Sequence, residues 1–243
     1  MKQIIRFIPM MLLMLMMCNQ ASGQFGGLID KVKESIEKDD PSKQLPPVYT
    51  FDYEYHIESE YKGKVDKYVF LIKEDASVVA FLEDKDDEMN IMLWDHSIKK
   101  AKLYMTGKES GGKGMIGIPY IDMAKLAEKM KDKNEDKYSI VPTGKTKTIA
   151  GYNCKEYKTS DKKNTGYLYA TTEAGITGFN LVGFSSVRMP KSVSNMQGLE
   201  NGLLMEITSH DKKKPKKNAI NMRCVKLVKS DYTINNSEFQ RVN

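Results

Sequence analysis

Apolar and polar residues alternate along much of this chain. Phe51, Tyr53, Tyr55 and Ile57 alternate with Asp52, Glu54, His56 and Glu58. A period of two places one set on each face of an extended strand, one buried and one wet. The pattern predicts a strand over 51–58 and a hairpin turn at Tyr61-Lys62-Gly63-Lys64. Further strands are predicted at 68–72, 77–82, 90–94 and 101–105, separated by short charged or turn-rich breaks. The same rhythm resumes after Tyr138, with strands at 148–150, 153–159 and 166–172. A closing hairpin is predicted from 203–209 and 219–228, with its tip at 211–217. Short strands at regular spacing predict an antiparallel sheet. The glycine-rich stretch 107–118 reads as a loop, and 173–200 shows no period.

Two stretches change to a helical period. Leu28, Ile29, Val32 and Ile36 predict a short amphipathic helix over 27–38, followed by a proline-containing linker at 41–47. Ile121, Ala124, Leu126, Ala127 and Met130 predict a helix over 120–131 that packs on the sheet. The expected fold class is therefore α+β, mainly antiparallel β. The expected organisation is a leader at 1–23, a helix and linker at 24–47, and one β-rich domain at 48–243.

The leader reading rests on three features. Lys2 and Arg6 give a positive start, Ile8 to Met17 is apolar, and Ala21-Ser22-Gly23 supplies small residues for cleavage. This is the layout of a secretory signal, and the apolar run is shorter than the roughly 20 residues of a spanning helix. A lipid-modified Cys18 is disfavoured because Met17 stands where a small residue belongs. The expected location is the periplasm or the exterior, with association to the outer membrane as an option. Losing Lys2 and Arg6 lowers the formal charge from +6 to +4. That mild, interspersed balance gives no case for nucleic-acid binding, which calls for a strongly basic patch on a recognisable module.

Several motifs fall short of chemistry. Residues 107–114 approach a phosphate-binding loop, but Gly114 replaces the hydroxyl residue that binds magnesium. Residues 183–187 approach a nucleophile elbow, but Val187 replaces the second glycine. Asp84 to Met89 lacks the glycine of a calcium loop. His56, His96 and His210 stand far apart without ligand-spaced partners, so no metal site is expected. No catalytic residue and no cofactor is assigned. Export permits a disulfide between Cys154 and Cys224, and two separate buried thiols is the alternative. The lysines at 212–217 read as a charged hairpin tip that also discourages edge pairing, with contact to anionic headgroups as the alternative. Ten of the 16 methionines lie beyond residue 23 and suit a pliable apolar cavity or ordinary core.

Residues 143–157, with Lys147-Thr148-Ile149-Ala150-Gly151-Tyr152-Asn153-Cys154-Lys155-Glu156-Tyr157 at their centre, resemble the core motif of an exported bacterial family, domain of unknown function 4412. Gly166-Tyr167-Leu168-Tyr169-Ala170-Thr171 resembles the strand that follows it. Gln24-Phe25-Gly26-Gly27-Leu28 resembles the start of such proteins after their signal, and Ser237-Glu238-Phe239 their close. The usual proline-containing ending is replaced by Gln240-Arg241-Val242. The family is similar in architecture to periplasmic lipoprotein-carrier proteins. That similarity implies a curved sheet or unclosed half-barrel with covering helices. Within the motif, Gly151 and Tyr152 are expected to form the turn before the Cys154 strand.

The resulting functional expectation is a non-catalytic envelope protein that binds a lipid or other hydrophobic ligand. The expected lining is Phe51, Tyr53, Tyr55, Ile57, Phe70, Ile72, Met92, Trp94, Met123 and Met130. The alternative is a structural or interaction module that docks an envelope protein through a sheet edge or the N-terminal helix. Peripheral membrane contact is compatible with both.

Overall fold

A computed structural model describes residues 36–37, 42–61, 63–85, 88–107, 112–122, 139–176, 202–215 and 219–241. Residues 1–23, where a leader is expected, nearly all of the 27–38 segment, the greater part of 120–131 and the 183–187 motif lie outside them.

The chain forms β1 (Ile36–Glu37), β2 (Val48–Thr50), β3 (Tyr53–Tyr61), β4 (Lys64–Ile72), β5 (Val78–Lys85), β6 (Glu88–Asp95), β7 (Lys100–Gly107), β8 (Gly112–Ile118) and β9 (Tyr120–Ile121). It continues with β10 (Ser139–Ile149), β11 (Tyr152–Ser160), β12 (Asn164–Thr171), β13 (Leu203–Asp211), β14 (Ile220–Lys229), β15 (Thr233–Asn235), a 3-10 turn (Asn236–Glu238) and β16 (Gln240–Arg241). Twelve strands make one open sheet in the order β10-β11-β12-β13-β14-β3-β4-β5-β6-β7-β8-β16. It consists of two meanders, β3–β8 and β10–β14. They are joined where β14 pairs with β3 over a register from Ile220–Tyr61 to Lys229–Tyr53. Every neighbour is antiparallel except β16, which lies parallel to β8.

The α+β expectation with covering helices is overturned. Among the described residues the only helical element is the 3-10 turn at 236–238. Tyr120 and Ile121 open the stretch read as a helix, yet they are extended and pair with Glu37 and Ile36. Those two residues were themselves expected to be helical. Apolar spacing allowed a helix at both places, but antiparallel pairing of Ile36–Glu37 with Tyr120–Ile121 holds these four residues extended.

The loop expected at 107–118 is also corrected, because 112–118 is β8 and pairs with β7 from Gly112–Gly107 to Ile118–Ala101. Glycine weakens a strand, but here β7 supplies a partner on one side and Met115 is buried against the core. β10 begins at Ser139, well before the expected 148. Its polar run hid it, and the register breaks between Pro142 and Thr146.

Two apolar clusters form among the described residues. The larger contains Tyr53, Tyr55, Ile57, Phe70, Ile72, Phe81, Trp94, Cys154, Leu168, Cys224 and Leu227. The smaller contains Tyr49, Phe51, Leu71, Val78, Ala80, Ile91, Leu93, Tyr104 and Ile234. Successive residues Phe70, Leu71 and Ile72 are all buried, so this part of the sheet is covered on both faces. Cover for the smaller cluster comes from the segments that flank the two meanders. β2 pairs with β15. The Tyr104 hydroxyl donates to Asn236 Oδ1 at 2.6 Å, and Phe239 meets the Tyr104 ring edge-on at 4.9 Å.

Candidate functional site

The apolar face of β3–β6 is built from two cross-strand rows. Tyr53 stands opposite Ile72, Ile72 opposite Val79, and Val79 opposite Trp94. Two residues along, Tyr55 stands opposite Phe70, Phe70 opposite Phe81, and Phe81 opposite Met92. Ile57 continues the face beside Tyr68. Directly opposed aromatic pairs of this kind are the unit of sheet stabilisation. The Phe70 and Phe81 rings lie 5.3 Å apart and tilted, and Tyr55 and Phe70 lie 6.5 Å apart. β14 extends the face, with Leu227 opposite Tyr55 and Cys224 opposite Ile57.

Of the residues expected to line a ligand site, Tyr53, Tyr55, Ile57, Phe70, Ile72 and Trp94 are buried in this one cluster, and Met92 packs against it half-buried. Phe51 lies in the smaller cluster instead. Its backbone N–H donates to Tyr232 O at 3.2 Å, outside the β3 ladder, so the alternation that begins at Tyr53 does not extend back to it. Met123 and Met130 lie outside the described residues. Sequence reasoning missed Phe81, Tyr120, Leu227, Ala174 and Ile176, which join the same cluster. Phe81 and Leu227 were legible from strand alternation; the others needed the tertiary fold.

Few polar groups reach this face. The Tyr55 hydroxyl donates to the Leu204 carbonyl, and burial holds its pKa well above the usual tyrosine value. At one end, Lys229 Nζ donates to the Tyr53 hydroxyl at 2.6 Å and lies 3.9 Å from the Tyr53 ring centre. That hydrogen bond raises the Lys229 pKa and keeps the ammonium charged. At another point, His96 Nδ1 and the Tyr120 hydroxyl lie 2.8 Å apart, fastening β9 to the β6–β7 turn. Burial lowers the His96 pKa, so the imidazole is neutral at neutral pH.

Cys154 and Cys224 are free thiols in this structure and both are buried. Burial pushes them up to about 11 and about 12. A thiol so shifted is a poor nucleophile, because the thiolate is the reactive form. His56 pairs with Glu54 at 3.1 Å and His96 with Tyr120, so the histidines do not converge. Among the described residues no three His, Cys, Asp or Glu side chains are grouped to hold a metal ion.

The opposite face of β11–β14 and β3–β4 is polar. Glu156, Tyr169, Glu206, Arg223, Glu58 and Lys67 stand directly opposite one another in turn. Tyr169 donates to Glu156 at 2.5 Å and Thr143 donates to the same carboxylate at 2.8 Å. These bonds hold the Glu156 pKa below its usual value, and the first pushes Tyr169 up to about 12.

Residues 58–201 match the family described as Domain of unknown function (DUF4412). No curated protein matches the chain in sequence. Among solved structures, the chain is similar to PNGF-II, with TM-score 0.42 and 11% identity, covering 79% of this chain and 31% of that one. It is similar to MucB in complex with MucA(peri), with TM-score 0.39 and 8% identity, covering 84% and 55%. The Pseudomonas aeruginosa MucA/MucB complex gives TM-score 0.40 and 9% identity, covering 86% and 58%. The likeness is distant in all three, and the chain spans less than two thirds of each structure it matches.

Proposed function

The chain belongs to the DUF4412 family, and we propose that it is a non-catalytic, exported envelope protein that holds a lipid or other hydrophobic ligand against the apolar face of β3–β6. The observation that carries this reading is the pair of cross-strand rows from Tyr53 to Trp94 and from Tyr55 to Met92. A mostly apolar lining with a few placed polar groups is what binding of a hydrophobic ligand requires; every residue of the two rows except Met92 is buried by its own neighbours, so a ligand would enter by displacing part of that cover. The Tyr53–Lys229 pair supplies such polar groups and suits a ligand with an anionic or carbonyl end.

The test is native mass spectrometry of the exported protein purified gently from its own envelope, followed by organic extraction. A stoichiometric apolar ligand that is lost on denaturation supports the reading. A bare chain that also fails to retain added fatty acid or phospholipid overturns it.

The second reading, docking of an envelope protein, has one observation in its favour. Among the described residues, β10 ends the sheet and pairs only with β11. Its irregularity between Pro142 and Thr146 leaves short regular stretches at 139–142 and 146–149. Proline, lysines and a bulge on an edge strand discourage strand addition, so the ligand reading stands first.

A further inference from the structure

Five large apolar side chains are exposed among the described residues: Val48, Val65, Val141, Tyr167 and Val225. Three of them fall on one cross-strand row. It runs from Val141 on β10 through Lys158 on β11 and Tyr167 on β12, then across Thr208, Asn221 and the exposed carboxylate Glu60 of β13, β14 and β3 to Val65 on β4. Val141 is 55% exposed, Val65 53% and Tyr167 39%. The row lies two positions from the ladder ends at Ser160 and Thr165, about 7 Å at the usual strand rise.

Beyond those ends stand two hairpin tips that are knitted together. The Lys212 backbone N–H donates to Lys163 O at 2.8 Å, and Lys212 Nζ donates to Asp161 O at 2.6 Å. The two aspartates of the tips fold the turns themselves. Asp161 accepts from the backbone of Lys163 and Asn164, both at 2.6 Å. Asp211 accepts from the backbone of Lys213 at 2.7 Å and Lys214 at 3.0 Å. Lys162, Lys163, Lys212, Lys213 and Lys214 are all exposed. One end of the sheet therefore carries a band of lysines, with Tyr167 and Val141 close behind it and Val65 on the same row further along, beyond β14 and β3.

We propose that this rim docks the protein on an anionic phospholipid surface. The lysines meet headgroup phosphates, and Tyr167, Val141 and Val65 enter the interfacial layer behind them. Lysines attract acidic lipid over a Debye length, and tyrosine favours the headgroup level, with a wet end and an apolar ring. A nucleic-acid backbone would use the lysines and leave the valines without a role, so the apolar row selects the membrane. The proposal does not rest on the ligand reading.

The experiment is co-sedimentation of the exported protein with phosphatidylcholine vesicles, with and without 30% phosphatidylglycerol, in low and high salt. Lys212 is kept because it braces the neighbouring tip. The rim variant is K162Q/K213Q/K214Q. The charge-matched control is K145Q/K155Q/K226Q, three exposed lysines away from those tips. A lysine beside an acidic surface is worth about fivefold in affinity, so the rim variant is expected to bind at least tenfold more weakly and the control within twofold of the parent. Tyr167→Ser is expected to weaken binding severalfold and leave the salt dependence in place. Melting temperatures confirm that each variant is folded. Equal binding by the rim variant, an equal loss in the control, no effect of Tyr167→Ser, or no preference for acidic vesicles overturns the proposal.

Discussion

Lys147 on β10 donates two hydrogen bonds to the Glu206 carboxylate on β13, at 2.7 and 2.8 Å, across the two strands between them. On the way its ammonium passes 4.9 Å from the Tyr169 ring centre. Arg223 Nε stands 3.5 Å from the second oxygen of the same carboxylate. Glu206 is buried, while Lys147 and Arg223 remain partly in water, at 40% and 52% side-chain exposure. This arrangement ties the edge strand to the sheet by its side chains as well as by its ladder.

Lys147→Met should leave the buried Glu206 carboxylate with the half-exposed Arg223, 3.5 Å away, as its remaining described cation. A fully buried pair broken on one side costs about 3–5 kcal/mol, and solvent at Lys147 reduces this to about 1–2 kcal/mol. Urea unfolding checks the value. Combining it with Glu206→Gln should recover part of the loss, and a double variant that is fully additive would show that the two side chains do not interact.

Gly166 on β12 faces the backbone of β13. A Cβ there would lie 1.8 Å from Thr208 O and 2.8 Å from Thr208 C. No side-chain rotation relieves a clash with backbone, so Gly166→Ala should destabilise by about 3 kcal/mol or more. Amide exchange should show the loss concentrated on β12 and β13. A melting temperature equal to the parent's would mean that the two strands stand further apart than described.

Ala150 and Gly151 form the turn between β10 and β11, with φ of 49° and 88°. A tight hairpin with two positive-φ residues favours Asn-Gly, and alanine in the left-handed region costs about 1–2 kcal/mol. Ala150→Asn should therefore raise stability by about 1 kcal/mol, and Gly151→Ala should lower it by about as much. Thermal melts of the two variants should move in opposite directions.

His96 links pH to the attachment of β9. Burial lowers its folded pKa below the ordinary value of 6.5, outweighing the opposing fields of Asp95 and Asp122. The unfolded chain then binds a proton more readily than the folded one. Its contribution to stability is complete above pH 6.5 and is lost as pH falls from there through the folded pKa. Protonation also makes both ring nitrogens donors, so Nδ1 can then only donate to the Tyr120 hydroxyl oxygen. Imidazole titration by NMR should give a value below 6.5, and His96→Gln should flatten the stability profile in that window.

Local order was legible in the residues themselves. Alternation at Tyr53, Tyr55 and Ile57 located β3 and one of its faces. Gly63 marks the β3–β4 turn with a φ of 76°. Gly151 sits in its expected turn, although its turn partner is Ala150, and Tyr152 is already the first residue of β11. These features depend on neighbours within a few residues, where backbone sterics and side-chain period act directly.

Distance in the chain hid the rest. The β14–β3 joint brings Lys229 to Tyr53, and the β2–β15 pair brings Ile234 to Tyr49. Neither has a local signal. The same pairing moved Phe51 into the second cluster: Asp52 N–H bonds Ile72 O while Phe51 N–H bonds Tyr232 O, which interrupts the strand that alternation alone would continue. Backbone donors must find acceptors wherever the fold supplies them. Alternation and turn residues were enough for β3–β7, the tight turns and much of the apolar face. The neighbours of each strand, the cluster that Phe51 joined, and the extended backbone of β8, β9 and the start of β10 followed from folding, because each depended on hydrogen-bond partners distant in the chain.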